Sequence, residues 1–401
     1  MYKNLTIVLL SLSSLVSYYA LNNKSLRYIM TTRRRTRSSS NDITSIDNNE
    51  NKKIKNIALL DLGPLVKAVI VRRPSKAIKS PYVADVIELN VKHESLSFPL
   101  FIFDRSLISS KKKVKVDNGD KVLSLTMTKT EDIRLAHSPS LDCAGMVVAG
   151  AKVYCSTKKI GSNTKTDLTI QLCEEIREDG KTIVGYHPSL AESLAKEIIT
   201  KNLLVDLIGK SDSLKSQVTF GKSRVDFVIT NKDEETITLI EVKNVVGATY
   251  REGHVPQGRS PVGVYEVKGP TRSAIFPHGA VKNGIGVVSD RAIKHCHELT
   301  QLVGTKSENG STIKAAILFI VNRNDCEQFR PCHEADMLFA QILHRANIQG
   351  VQLIAQEIIW NQSIASLGRR LPIHFDNEIV TKEIDDVLLS KVLEYNEIFK
   401  R

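Results

Sequence analysis

The sequence predicts a β and α/β fold in two parts, a small barrel of antiparallel strands followed by an α/β sandwich. Three observations carry that expectation. Residues 57–185 hold only short apolar runs separated by turn residues, with little helical periodicity. At Pro188 the pattern changes to one amphipathic helix followed by three β-rich runs. Beyond residue 272, apolar strands alternate with helices, the order of a layered sandwich.

The first 55 residues read as a targeting leader and linker. Residues 5–16 form an apolar run with the shape of a signal-peptide core, too short to span a bilayer. Residues 21–41 contain no acid and are rich in Arg, Ser and Thr, the composition of an organelle transit peptide. The two in series resemble the two-part leader of algae whose plastids lie inside extra membranes. A plastid is therefore expected ahead of a mitochondrion, with the leader removed and no stable membrane span in the mature chain. The alternatives are a plain organelle presequence, or a secretory signal followed by a disordered linker.

In the barrel, residues 56–185, the expected strands are 65–71, 83–89, 100–103, 122–127, 146–153 and 168–172, with the lysine run 111–113 a loop tip. The second part, residues 186–373, opens on a helix whose apolar stripe is Leu190, Leu194, Ile198 and Leu203. Runs 216–220, 223–230 and 236–245 then form a meander, divided by Gly221-Lys222 and by the polar turn 231–235. Residues 247–272, with repeated Gly, Pro and charge but no period, read as a long loop. A helix over 289–303, a strand over 315–321, a helix over 336–348 and a strand over 351–359 complete the sandwich, and 374–401 adds a helical extension.

Composition narrows the function classes. A chain of 401 residues, 42% hydrophobic and 25% charged, is neither disordered nor a multi-pass membrane protein. The net charge of +12 invites an anionic partner, but seven basic residues precede the first acid, Asp42, and without them +5 remains. Six cysteines without a C-x-x-C pair predict neither a disulfide framework nor a zinc ribbon. Gly209-Lys210-Ser211 and Gly221-Lys222-Ser223 end like phosphate-binding loops, yet Leu204 and Ser216 stand where the first glycine belongs. The groups His295, Cys296, His297 and Cys326, Cys332, His333 fit no standard zinc spacing.

The sharpest chemistry lies in the third strand of the meander. Glu241 and Lys243 share one face by the period-two rule, and they interrupt an apolar run. If runs two and three form a hairpin, Asp226 comes opposite Glu241 and two carboxylates converge. Two hard oxygen ligands are what magnesium takes from a protein while keeping water and phosphate in its other positions. A lysine two residues on is placed to stabilise developing phosphoryl charge or to position water. Glu197, on the preceding helix, is the further candidate acid. An ordinary hairpin with a solvated cross-strand pair has the same local sequence.

An ordered series of motifs, over about residues 63–373, resembles the sugar fermentation stimulation protein A family. The segments are VRRPSK at 71–76, VADV at 83–86, AHSP at 136–139, GM at 145–146, FGKSRVDFVI at 220–229, IEVKNV at 240–245, AIFP at 274–277, SDRAIKHCHEL at 289–299, AAILFIVNR at 315–323, FRPCHEAD at 329–336 and GVQLIA at 350–355. The resemblance implies an OB-fold-like barrel joined to a PD-(D/E)xK nuclease-like domain. It gives Asp226, Glu241 and Lys243 the nuclease positions and Glu197 the helix acid, with Mg or Mn held by Asp226 and Glu241. Basic residues within the matching segments, Arg72, Arg73, Lys222, Arg224, Arg291, Lys294 and His295, are the expected nucleic-acid contacts, with DNA the partner the family is described as binding. The family's HCPNTGSM box is replaced here by HSPSLDCAGM from His137. Two functions follow as expectations: a nucleic-acid-binding, metal-dependent nuclease, or a non-catalytic DNA-binding regulatory module.

Overall fold

Most of the regular structure is sheet, as the β-branched runs require. The computed structural model describes residues 57–89, 133–140, 143–158, 161, 163–177, 180–220, 223–255, 264–267, 269–279, 281–282, 285–286 and 289–398. The leader and linker, the expected strands at 100–103 and 122–127, the 111–113 tip and Lys222 lie outside the described residues.

Strand β1 (Ala58–Asp61) precedes β2 (Val66–Arg72), β3 (Val83–Glu88), β4 (Ile133–His137), β5 (Lys152–Thr157), β6 (Leu168–Arg177) and β7 (Gly180–Gly185). Helices α1 (Ser189–Thr200) and α2 (Val205–Ile208) lead into β8 (Ser213–Phe220), β9 (Ser223–Asn231) and β10 (Thr236–Val245). Short strands follow: β11 (Gly247–Ala248), β12 (Tyr250–Arg251), β13 (Glu266–Val267), β14 (Ser273–Phe276), β15 (Val281–Lys282) and β16 (Ile285–Gly286). Then come α3 (Asp290–Leu302), β17 (Thr312–Val321), β18 (Gln328–Pro331), α4 (Met337–Ile348), β19 (Gln352–Asn361), β20 (Ile364–Leu371), α5 (Asn377–Val380) and α6 (Asp386–Ile398).

Strands β2 to β6 close into a five-stranded barrel, in the order β4-β3-β2-β5-β6, with β4 pairing back onto β6 and β7 extending the sheet. Alternation builds it. In β5, Val153 and Cys155 are buried between partly exposed Lys152, Tyr154 and Ser156, and in β6 Leu168, Ile170 and Leu172 do the same. Bulges between Ile70 and Arg72 and between Tyr154 and Cys155 supply the bend that closure needs.

The second part is a seven-stranded sheet ordered β1-β20-β19-β17-β10-β9-β8. Strand β17 lies parallel to both neighbours and its apolar run is buried on both faces. One face packs α1 and α2 through Leu194, Ile198 and Ile208 onto Phe227, Ile240 and Leu318. The other packs α3, α4 and α6 through Ile293, Phe339 and Leu389 onto Leu239, Ile317 and Phe319. Among the described residues no helix is long and apolar enough to cross a membrane.

Three expectations change, the first being that the strand expected over 146–153 begins only at Lys152. The stretch assigned to the front of the barrel, 58–61, instead forms the sheet's edge strand against β20, because its partner is 300 residues away and the local sequence carries no trace of it. The loop expected over 247–272 holds β11, which joins β14, and β12, which pairs with β13. Strands of two residues leave no periodic signal.

A buried charge network joins the barrel to the strand that leaves β10. Arg323, 1% exposed, donates from Nη2 to Glu175 Oε2 of β6 at 2.6 Å and from Nη1 to the Val246 carbonyl at 2.8 Å. Arg177 of β6 lies over the Tyr250 ring, 4.1 Å from its centroid, and donates to the Thr249 carbonyl at 2.8 Å. Asp325 pairs with both arginines as well, from Oδ1 with Arg323 Nε at 2.6 Å and from Oδ2 with Arg177 Nε at 3.5 Å, so the buried charges are shared among two acids and two bases.

Candidate functional site

The hairpin of β9 and β10 is paired from Asn231 and Thr236 to Phe227 and Ile240, and there the ladder stops. Asp226 and Glu241 come next, opposite one another. Where the strands part, the Val242 amide donates to Asp226 Oδ2 at 2.7 Å, so the side chain takes over from the ladder. Glu241, 3% exposed, is engaged at Oε1 by both Lys243 Nζ and His295 Nδ1, the latter from α3. With its proton on Nδ1, the His295 ring is the donor.

The surroundings set the two carboxylates apart. Burial pushes the Asp226 carboxyl up to about 6, the Glu241 charge adds to it, and the Val242 amide and Lys243 only partly oppose them. Burial pushes Glu241 the same way, but Lys243 and His295 outweigh it and hold its carboxyl below the ordinary range. Burial also raises Asp290, in the first turn of α3.

These groups line an open cleft of about 510 Å³ between the end of the hairpin and the first turn of α3, which brings Asp290 and Arg291. Asp336 fixes that turn, accepting from the Phe339 amide at 2.9 Å as the cap of α4 and from the Ser289 amide at 2.7 Å.

The helix acid at the cleft is Glu192, not Glu197. Glu197 lies five residues further along α1, about 140° round a helix of 3.6 residues per turn. It pairs instead with Lys201 at 2.5 Å on the outer surface. Gln217 of β8 links Glu192 to the site, its Nε2 donating to Glu192 Oε2 at 2.9 Å and to Asp226 Oδ1 at 3.2 Å. Sequence reasoning missed both residues. The one available signal was that Glu192, in the first turn of α1, lies at the helix end nearest the chain's change of pattern.

The expected nucleic-acid contacts divide. Arg291 is exposed at the cleft and Arg224 is exposed on β9, whereas Lys222 lies outside the described residues. His295 turns inward to Glu241, so it serves the carboxylate and not a phosphate. Lys294 pairs with Glu298 at 3.7 Å. On the barrel, Arg72 lies 3.4 Å from Asp85, and Arg73 donates to the carbonyls of Pro81 and Ser140, both at 2.7 Å. Arg73 is thereby a cross-loop tie, its guanidinium engaged by the carbonyls of two separate loops.

Among the described residues no three or more His, Cys, Asp or Glu side chains are gathered into a ready cage for a metal ion. The Asp226 and Glu241 pair still suits a hard divalent cation. It offers carboxylate oxygens only, and the Glu241 charge, which after burial is the second cause raising Asp226, is what such an ion neutralises.

The profile described as sugar fermentation stimulation protein RE domain matches residues 189–257 and 254–363, from the start of α1 to the turn before β20. The sugar fermentation stimulation protein homolog of Trichodesmium erythraeum is 30% identical over 247 residues, 60% of this chain and 82% of that protein. The chain belongs to the sugar fermentation stimulation protein family. The Cyanothece homolog of the same description is 27% identical over 226 residues, 56% of this chain and 78% of its own length. A solved structure, Pyrococcus furiosus SfsA in complex with Ca2+, is similar over 80% of this chain and all of its own, at 18% identity and a TM-score of 0.49. The family profile covers α1, β9, β10, β14 and α3, which supply the cleft.

Proposed function

We propose that this member of the sugar fermentation stimulation protein family binds nucleic acid, DNA in the first instance, and hydrolyses its phosphodiester bonds at the Asp226–Glu241–Lys243 cleft with magnesium or manganese. On this reading the α/β part is a nuclease-like domain of the PD-(D/E)xK kind. The observation that carries it is the meeting of two opposed carboxylates and a lysine where β9 and β10 part.

Asp226 and Glu241 would hold the cation, which when bound supplies Lewis-acid polarisation of a phosphoryl oxygen. The remaining work falls to the chain itself. Lys243 and His295 keep Glu241 ionised, so its carboxylate is ready without first losing a proton. The Val242 amide holds one oxygen of Asp226 in place. Lys243, partly exposed to the cleft, carries positive charge to the point where the phosphoryl group gains negative charge. Arg291, at the rim, is placed to meet a neighbouring phosphate and fix the strand's register.

A regulatory module that grips DNA without cutting would use the same surface. The carboxylate pair at the cleft tells against it, since Asp226 and Glu241 repel a phosphate backbone unless a cation lies between them. The test is cleavage of DNA and RNA, double- and single-stranded, by the purified protein with magnesium or manganese and with chelator. Metal-dependent cleavage that Glu241→Ala abolishes supports the enzyme, and binding without cleavage on any substrate supports the module.

A further inference from the structure

Gln217 is the one residue of β8 whose backbone departs from the strand. Its φ is +56°, a left-handed conformation that a side chain with a Cβ adopts only under constraint. The ladder with β9 is paired on either side of it, at Ser216 with Phe227 and at Val218 with Val225, but not at Gln217 itself, which stands across from Asp226. The Gln217 amide lies between two carboxylates and donates to both. Glycine would take this backbone shape without strain, so the conformation is kept for what the side chain does.

What it does follows from the contacts of Asp226. One carboxylate oxygen, Oδ2, is held by the Val242 amide at 2.7 Å, and the other, Oδ1, by Gln217 at 3.2 Å. Two donors, one to each oxygen and from different strands, fix both the plane and the reach of the carboxylate. Each oxygen keeps a second lone pair, and Glu241 lies across the cleft from them. Glu192 in turn fixes Gln217 from α1, so helix, edge strand and central hairpin are tied in series to one ligand.

We propose that Gln217 is a positioning residue for the cation site, orienting Asp226 so that its carboxylate and that of Glu241 bind one divalent ion together. The inference rests on the metal reading of the cleft given above. Outer hydrogen-bond partners of metal ligands are worth 10- to 100-fold in affinity when removed. Loss of the amide also leaves the Glu192 and Asp226 charges facing one another with no donor between them.

Manganese binding, followed by electron paramagnetic resonance on full-length protein, tests this with two variants. Gln217→Gly removes the amide and relieves the left-handed strain; Gln217→Ala removes the amide and keeps the strain. Both are expected to bind manganese about 10- to 100-fold more weakly than the wild type. Their urea midpoints should differ, with the glycine variant the more stable of the two. Equal losses of affinity at unequal stabilities set positioning apart from a structural role. Affinities within twofold of wild type, or a loss confined to the less stable variant, would overturn the assignment and leave the metal reading intact. A wild-type protein that binds no manganese overturns the metal reading, and this inference with it.

Discussion

Replacing Asp226 by Asn is expected to stabilise the metal-free protein at neutral and alkaline pH. In the folded protein this carboxyl keeps its proton up to about pH 6, against an ordinary value of 3.8. Folded chains therefore bind more protons than unfolded ones between these values, and stability falls as pH rises through them. The displacement of about two pH units corresponds to about 3 kcal/mol of destabilisation above pH 6. Asn carries no charge and escapes this term. Its oxygen can accept from the Val242 amide, but its own amide then faces Gln217 Nε2 at the other position, an unmet pairing that costs about 1 kcal/mol. The net gain is about 2 kcal/mol at pH 8, and because the unmet pairing does not titrate it crosses zero at about pH 4.5 and reverses at pH 4. Urea unfolding in chelator at the two pH values measures it, and added manganese should reverse the order by stabilising only the wild type. A variant less stable than wild type at pH 8 in chelator, or an offset independent of pH, would refute the reasoning.

Glu197→Ala is expected to leave cleavage unchanged and stability within about 0.5 kcal/mol, because it breaks only a surface pair; a large loss of activity would return Glu197 to the site. Arg73→Ala should destabilise the protein by about 1–3 kcal/mol through the carbonyls of Pro81 and Ser140, with no change in the salt dependence of DNA binding. Arg291→Glu should weaken binding across sequences and flatten that salt dependence, read from titrations at several salt concentrations. Residues 1–55 fused to a fluorescent protein are expected to direct it to the plastid of an alga with complex plastids, and microscopy showing another compartment would end that proposal.

The sequence made the hairpin legible because β10 is a long β-rich run in which Glu241 and Lys243 interrupt apolar residues. Helices α3 and α4 were legible because each is long enough to show its period, and β17 because its apolar run is continuous. Strand β1 was not, since four residues, Ala-Leu-Leu-Asp, become a strand only through β20. The choice between Glu192 and Glu197 was closed to sequence reasoning too. Both lie on the polar side of one amphipathic helix, and what selects Glu192 is a left-handed kink in β8 that brings Gln217 to it. Arg73 and Arg291 are equally basic in sequence. Only the carbonyls folded around Arg73 remove it from the surface available to a phosphate.

We propose Asp226, Glu241 and Lys243 as a metal-dependent phosphodiesterase site. Its most direct measurement is cleavage of labelled DNA by wild type, Glu241→Ala and Lys243→Ala, with manganese and with chelator, beside DNA affinity for each protein. Metal-dependent cleavage is expected of the wild type, none of Glu241→Ala, and a loss of about 100- to 1,000-fold for Lys243→Ala. DNA affinity should stay level or rise in Glu241→Ala, which removes a negative charge from the cleft. Cleavage that persists in Glu241→Ala, or a wild type that binds DNA and cuts nothing in any metal, would contradict it.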